Sequence, residues 1–217
     1  MAPAPPRFTI PMPLSADNPV LPLGYSPVAP GRLAQVVTFL EMTEPPAAPG
    51  EPRGRTLGLR RFDGGATEDY HRLFRAVGED WLWSSRLEMT DDTLRAILGD
   101  PRVEAYAVRD GDRDIGLLEL DFRENAACEL SFFGLAAGFV GRGFGRRLMD
   151  EAIRRAWAKP IRRFWVHTCT LDHPAALAFY CRAGFRPYGQ AVEVSNDPRV
   201  SGHIRPDAAP HIPMTRP

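Results

Sequence analysis

The sequence, 217 residues long, predicts an α/β domain built on a mixed sheet. Three observations carry this reading. Strand-like and helix-like runs alternate in the order two strands, two helices, three strands, then helix, strand, helix, strand. An apolar strand runs through a glycine-rich turn directly into an amphipathic helix. More than half of the 22 prolines precede Arg53, which sets residues 1–31 apart as an extended arm, because proline removes backbone donors and disfavours helix.

The elements follow in order. Residues 33–42 (LAQVVTFLEM) are β-branched and apolar enough for a strand. After a Pro-rich loop over 43–55, residues 56–62 form a second short strand. The run 67–77 reads as a helix with Tyr70, Leu73, Phe74 and Val77 on one face. Residues 91–98 form another helix, begun by Thr90 as N-cap with acidic residues in its first turn. Strands follow at 103–109, 114–122 and 127–135, the first two joined by the turn signal Asp110-Gly111-Asp112. A helix over 143–158 carries Phe144, Leu148, Ala152 and Ala156 at i+4 spacing and stops at Pro160. A strand at 162–170, a helix at 174–182 and a strand at 185–194 complete the domain. Its expected bounds are 32–196, with a polar, Pro-rich tail over 197–217.

Composition narrows the class of function. Hydrophobic residues make up 44% and charged residues 25% of the chain, as in ordinary folded proteins. Lys plus Arg number 27 and Asp plus Glu 27, so net charge gives no reason to expect a nucleic acid or a membrane as partner. No apolar run has the length of a membrane span, and the N-terminus lacks the pattern of a secretory signal. Cys128, Cys169 and Cys181 are odd in number and show no CxxC spacing. Neither a disulfide framework nor a zinc site is expected, no metal is called for, and a reducing cytoplasm is the expected compartment.

The most informative segment is LAAGFVGRGFGRRL, residues 135–148. Gly141, Gly143 and Gly145 let backbone approach a ligand without Cβ obstruction. The first N–H groups of the following helix lack internal acceptors and sit at the positive end of its dipole. Together they form an anion site suited to a pyrophosphate, with Arg142 and Arg146 adding charge. A Walker loop is excluded because GxxxxGK[ST] is absent, and the spacing does not fit a dinucleotide fingerprint. The remaining alternative is a turn that only packs a helix on a sheet.

The segment Val140-Gly141-Arg142-Gly143-Phe144-Gly145 resembles the Q/R-x-x-G-x-G/A motif of the GNAT superfamily of acyl-CoA-dependent N-acyltransferases. ALAFYCRAGF, residues 176–185, resembles that superfamily's A-x-x-x-Y-x-x-x-G-F segment. The likeness is specific over about 127–188 and extends in element order from Leu33. It implies a GNAT-like mixed, mostly antiparallel sheet of about six to seven strands flanked by helices, with acetyl-CoA as co-substrate. One departure is Val140, where the motif has Gln or Arg; phosphate binding would then rest on backbone N–H groups and the arginines.

The resemblance also implies roles. Phe133, Leu135, Val140 to Arg146, His173 and Ala176 would line the cofactor site. Acylating an amine requires a base to remove its proton and an acid to protonate the departing thiolate. CELSFFGL, residues 128–135, is similar to the strand that carries the general base in histone-acetylating members, with Glu129 in register. Apolar neighbours Leu130, Phe132 and Phe133 would favour its neutral form. Counting alternate residues puts Glu129, Ser131, Phe133 and Leu135 on one face. Tyr180 stands where the acid is expected.

Other residues keep two readings. His173 caps the helix it precedes or contacts the pantetheine arm. His167 reads as a satisfied core histidine. Cys169 has no neighbouring base in sequence, and direct transfer in a ternary complex leaves it no nucleophilic role. Trp81, Trp83 and Arg86 are expected on the acceptor side, where the aromatics stack on a ring or close the core. The expected activity is acetyl transfer to a primary amine of a small molecule. A non-catalytic acyl-CoA-binding module and a protein N-terminus or lysine as acceptor are the alternatives. A homodimer is the oligomer suggested by an arm that needs a surface to pack on.

Overall fold

A computed structural model describes residues 20–46 and 57–217. The first part of the expected arm (1–19), most of the Pro-rich loop and Thr56 of the second expected strand lie outside the described residues. Seven strands and four α-helices form in the expected order. They are β1 Arg32–Met42, β2 Gly58–Arg61, α1 Thr67–Gly78, α2 Asp91–Gly99, β3 Val103–Asp110, β4 Arg113–Asp121, β5 Ala127–Leu135, α3 Phe144–Trp157, β6 Arg163–Cys169, α4 Ala176–Arg182 and β7 Arg186–Asn196.

The strands make one sheet in the order β2-β3-β4-β5-β6-β1-β7. All neighbours are antiparallel except β5 and β6, which are joined through α3, the long crossover that a parallel pair requires. The first strand of the chain therefore lies next to last in the sheet. It pairs with β6 on one side and carries β7 on the other.

Each face of the sheet has its own core. On one face α1 and α2 bury Tyr70, Phe74, Leu94 and Leu98 against Ala105, Ala107 and Leu117. On the other, the α3 stripe of Leu148, Met149, Ala152, Ile153 and Ala156 packs with Leu118, Leu120, Leu130, Phe164 and Val166. Each fully buried Leu or Phe of these layers contributes roughly 1.5–3 kcal/mol. Thr90 does cap α2, its hydroxyl accepting from Thr93 N at 3.3 Å. Gly111, with φ of 63°, makes the tight turn between β3 and β4.

Residues 197–217, read from sequence as a polar tail, fold back onto the domain. Arg199 is buried and holds the Asp197 carboxylate at 2.8 and 3.0 Å. It also donates to the carbonyls of Ala208, Ala209 and Ile212 at 3.2, 3.3 and 2.9 Å. Ile204, Ala208 and Ala209 complete a third apolar cluster with Leu33, Leu82 and Leu171. One guanidinium thus satisfies carbonyls that a segment without regular structure would otherwise bury unpaired. Among the described residues no helix is long and apolar enough to cross a membrane.

Candidate active site

The site begins where two parallel strands part. β5 and β6 pair only over Ala127↔Arg163, Cys128↔Phe164 and Glu129↔Trp165. Beyond this short ladder they separate, and a cleft of about 950 Å³ opens between them. It is lined by both strands, the N-terminal end of α3, α4, the loop between α1 and α2, and the end of β7.

The glycine turn forms one end of this cleft. Gly141 and Gly143 both have φ of 81°, and no atom lies within 4 Å of where a Cβ would sit on either. Gly143 is the N-cap of α3, so the first amides of the helix, which have no intrahelical acceptor, face this open space. Gly145 differs: a Cβ there would meet Phe179 and Leu135 at ordinary contact distances of 3.8 and 3.9 Å, so the packing at that position does not require glycine. Arg146 lines the cleft, as do Val140, Phe133, Leu135, His173 and Ala176. Two expected residues do not. Arg142 stacks on Phe139 at 5.7 Å, and Phe144 packs edge-on against Phe139 beneath Arg147. Their side chains stabilise the outer side of the turn, leaving the backbone of residue 144 and the Arg146 guanidinium as the groups that fit a pyrophosphate.

A β-bulge sorts the side chains of β5. The register against β4 shifts between Glu119↔Phe132 and Leu120↔Leu130, leaving Ser131 as the extra residue. Cys128 and Leu130 share the α3 core with Phe133 and Leu135, whereas Phe132 points to α1. The simple alternation expected from sequence is therefore broken. Glu129 lies opposite Asp121, on the face away from Phe133 and Leu135, and the two faces meet only at the parting of the strands.

Glu129 is not enclosed by apolar groups. Its side chain is 26% exposed and its carboxylate lies 3.5 Å from Nδ1 of His167. His167, read from sequence as a core histidine, is 44% exposed along its side chain and lines the cleft. Burial pulls the pKa of its imidazole down, but the Glu129 carboxylate, aided by Asp172 and Glu193, outweighs this and raises it. Nothing in the local pattern VHTC signalled this pairing, because it is made across the gap between β5 and β6.

Tyr180 occupies the opposite wall. Its side chain is 7% exposed, within reach of the Phe133 and Phe179 rings at 6.2 and 5.8 Å, and lines the cleft. Burial, with Asp172 nearby, pushes its pKa well up, so the hydroxyl remains a proton donor at neutral pH. Burial likewise pushes the Cys169 thiol up to about 11, which leaves little thiolate for nucleophilic chemistry.

The loop after α1 supplies another part of the cleft lining. Trp83 lies over Gly134 and donates from Nε1 to Asp172 at 3.0 Å. Asp172, which sequence reading missed, also accepts from the Thr168 hydroxyl and the Cys169 amide at 2.7 and 2.9 Å. It thereby fixes the turn from β6 to α4 against the tryptophan. His173 is not the cap expected from sequence, since the N-cap of α4 is Ala175 and carries no side-chain cap bond; it accepts from Ala175 N at 3.1 Å in the preceding turn, meets Trp81 edge-on and lines the cleft. Helix α4 starts at Ala176, two residues later than expected. Arg86 also lines the cleft, but its guanidinium is bonded to the fully buried Glu119 and stacked on Phe132 at 5.0 Å. Tyr70 donates to the same carboxylate at 2.6 Å. The charge of Arg86 is thus already met inside the protein.

A splayed sheet with a glycine-lined helix start at the parting of two parallel strands is the framework of an acyltransferase domain. The model of the acetyltransferase (GNAT) family matches residues 69–185, more than half of the chain, and the chain belongs to that family. No curated protein matches the sequence. Among solved structures, a functionally unknown conserved protein from Staphylococcus epidermidis ATCC 12228 superposes with a TM-score of 0.58 at 16% identity, over 77% of this chain and 64% of that one. A GCN5-related N-acetyltransferase from Sphaerobacter thermophilus gives 0.54 at 16% identity, over 77% and 52%. A spermidine/spermine N-acetyltransferase from Vibrio cholerae gives 0.50 at 22%, over 62% and 81%. This chain therefore spans just under two thirds of the staphylococcal protein, and the likenesses concern the fold.

Proposed function

We propose that this protein moves an acetyl group from acetyl-CoA to a primary amine of a small molecule, by direct transfer in a ternary complex. The observation that carries the proposal is that one cleft joins the open glycine turn to Glu129 on one wall and Tyr180 on the other. Acetyl-CoA, when bound, supplies an activated acyl carbon and a thiolate leaving group. The amides at the start of α3 and Arg146 hold its pyrophosphate. Phe133, Leu135 and Ala176 form an apolar wall for the arm that leads to the acyl group. Glu129 takes the proton of the acceptor ammonium, and the Tyr180 hydroxyl protonates the thiolate. Trp81 and Trp83 close the acceptor side, which suits a small molecule better than a peptide in an open groove.

Two further expectations belong to the same reading. All three cysteines are free, in keeping with a reducing cytoplasm as the compartment. Residues 20–30 are exposed throughout, Leu23 and Tyr25 completely, which supports a homodimer in which the arm packs on a second copy. Calorimetric titration with acetyl-CoA, beside a Gly143→Glu variant, tests the core of the proposal. Saturable binding that the variant loses supports it, and an absence of binding to the folded wild-type protein sinks it. Binding without turnover over a panel of amines would instead mark a sensor.

A further inference from the structure

Resting on the acyl-transfer reading above, we propose that Glu129 and His167 act as one proton-accepting unit, with Glu129 facing the amine and His167 passing the proton to water. The geometry is set by the sheet. Glu129 is the last residue of the β5–β6 ladder, and its partner there is Trp165. His167 lies two residues further along β6, on the same face, where the strands have parted. Its Nδ1 is 3.5 Å from Glu129 Oε1, an ion-pair separation that a small side-chain rotation closes to a hydrogen bond. The second carboxylate oxygen is left for the acceptor.

Exposure gives the route its direction. The Glu129 side chain is 26% exposed and that of His167 44%, so the imidazole is the more solvent-exposed member of the pair. Its ring is held between Phe39 and Trp165, with centroids at 6.1 and 6.2 Å. The charged groups facing it are all acidic: Glu129 from β5, Asp172 from the turn before α4, and Glu193 from β7. An imidazolium formed there is met by negative charge on three sides.

The proton count requires such an exit. An acceptor ammonium must lose two protons to become an amide, and the thiolate takes only one, so each turnover releases one proton to water. In the proposed sequence the ammonium gives its first proton to Glu129. Glu129 gives it to His167 Nδ1, and the imidazolium releases a proton from Nε2 to solvent. The proton remaining on nitrogen after attack leaves when the C–S bond breaks, and the thiolate is protonated through Tyr180. No electrons are exchanged with an outside partner.

The test compares wild type, Glu129→Gln, His167→Gln and His167→Ala. Steady-state kinetics are measured against pH with an amine found by screening, beside acetyl-CoA titrations. His167→Gln keeps size and polarity but does not titrate. We expect kcat to fall on the order of 10–100-fold, with acetyl-CoA affinity unchanged. Added imidazole should restore part of the rate in His167→Ala, a recovery that a merely structural role would not give. The His167 ring resonances should titrate above the usual histidine range in wild type and lower in Glu129→Gln. An active wild type whose His167→Gln variant keeps its kcat and pH profile overturns the relay alone. So does a loss of rate that imidazole does not restore, or a His167 titration unmoved by Glu129→Gln. A wild type that turns over no amine overturns the acyl-transfer reading and the relay with it.

Discussion

Substituting glutamine for Glu119 tests the buried network beneath the loop after α1. Glu119 is fully buried, Arg86 nearly so, and the carboxylate takes one hydrogen bond from the Arg86 guanidinium and one from Tyr70. Arg86 Nε already has no partner. Glutamine keeps the shape but has one acceptor, so an amide that still accepts from Tyr70 turns its NH2 group toward the Arg86 guanidinium; the change removes the charge and that hydrogen bond together. It leaves a guanidinium in a low-dielectric site without its counter-ion, a loss worth about 3–5 kcal/mol in such settings. In a chain of this size each kcal/mol moves the midpoint by roughly 2–4 °C, so a fall of about 6–20 °C is expected. Urea denaturation at neutral pH, followed by circular dichroism, measures the loss directly. Adding Arg86→Met removes the orphaned charge and should recover at least half of it. A Glu119→Gln variant that loses less than about 1 kcal/mol would refute the reasoning, as would a double variant no more stable than the single. If Arg86 served the substrate instead, the Arg86→Met change would raise KM with little effect on the midpoint.

Three further outcomes follow from the site and its supports. Tyr180→Phe should lower kcat about 100-fold or more while leaving acetyl-CoA affinity within a factor of two, because only a proton donor is removed; kinetics beside calorimetry separate the two effects. Asp197 is subject to burial, which raises its pKa, but hydrogen bonds from Arg199 win and hold it below the usual range. Its contribution to stability is therefore complete above the unfolded carboxyl pKa of about 4 and is lost as pH falls through the lower folded value. Asp197→Asn should flatten that part of the acid unfolding curve, and an unchanged acid midpoint would remove the pair from the account. Deleting residues 1–28, short of the turn before β1, should convert a dimer to a monomer by light scattering; an unchanged mass would exclude the arm from assembly.

Most of the elements were legible because their signals are local. The stripe of Leu148, Ala152 and Ala156, the cap at Thr90 and the glycine turn are each written within one short, continuous run of sequence. What was not legible depends on partners distant in the chain. The bulge at Ser131 exists because β4 and β5 differ by one residue in register, and it reverses the faces that simple alternation assigns. The pairing of Glu129 with His167 spans 38 positions and a gap between strands. Arg86 looked available because Glu119, its counter-ion, lies 33 residues away in a strand that reads as apolar. The C-terminal segment looked like a tail because its few apolar residues, Ile204 among them, show no period. The one local hint was Asp197 two positions before Arg199, a spacing that closes a bidentate pair.

The place of β1 has a bearing on how the protein divides into exchangeable parts. Strand β7 has β1 as its one neighbour, and β6 leans on β1 from Val37↔Cys169 to Met42↔Phe164. The stretch that matches the family model, 69–185, contains the glycine turn, Glu129, His167 and Tyr180, yet neither β1 nor β7. Its border runs through the cleft itself. The glycine turn and the residues around Tyr180 come wholly from inside that stretch, while Leu33, Glu193 and Ser195, which also line the cleft, are contributed by the flanks. Each flank anchors the other: Gly31 donates to the carbonyl of Thr215 at 2.8 Å and accepts from the amide of Asp197 at 2.9 Å. Sequence change in these two flanks would alter that part of the lining while leaving the glycine turn, Glu129, His167 and Tyr180 in place. The two flanks are thus far apart in sequence and joined by contact in the fold.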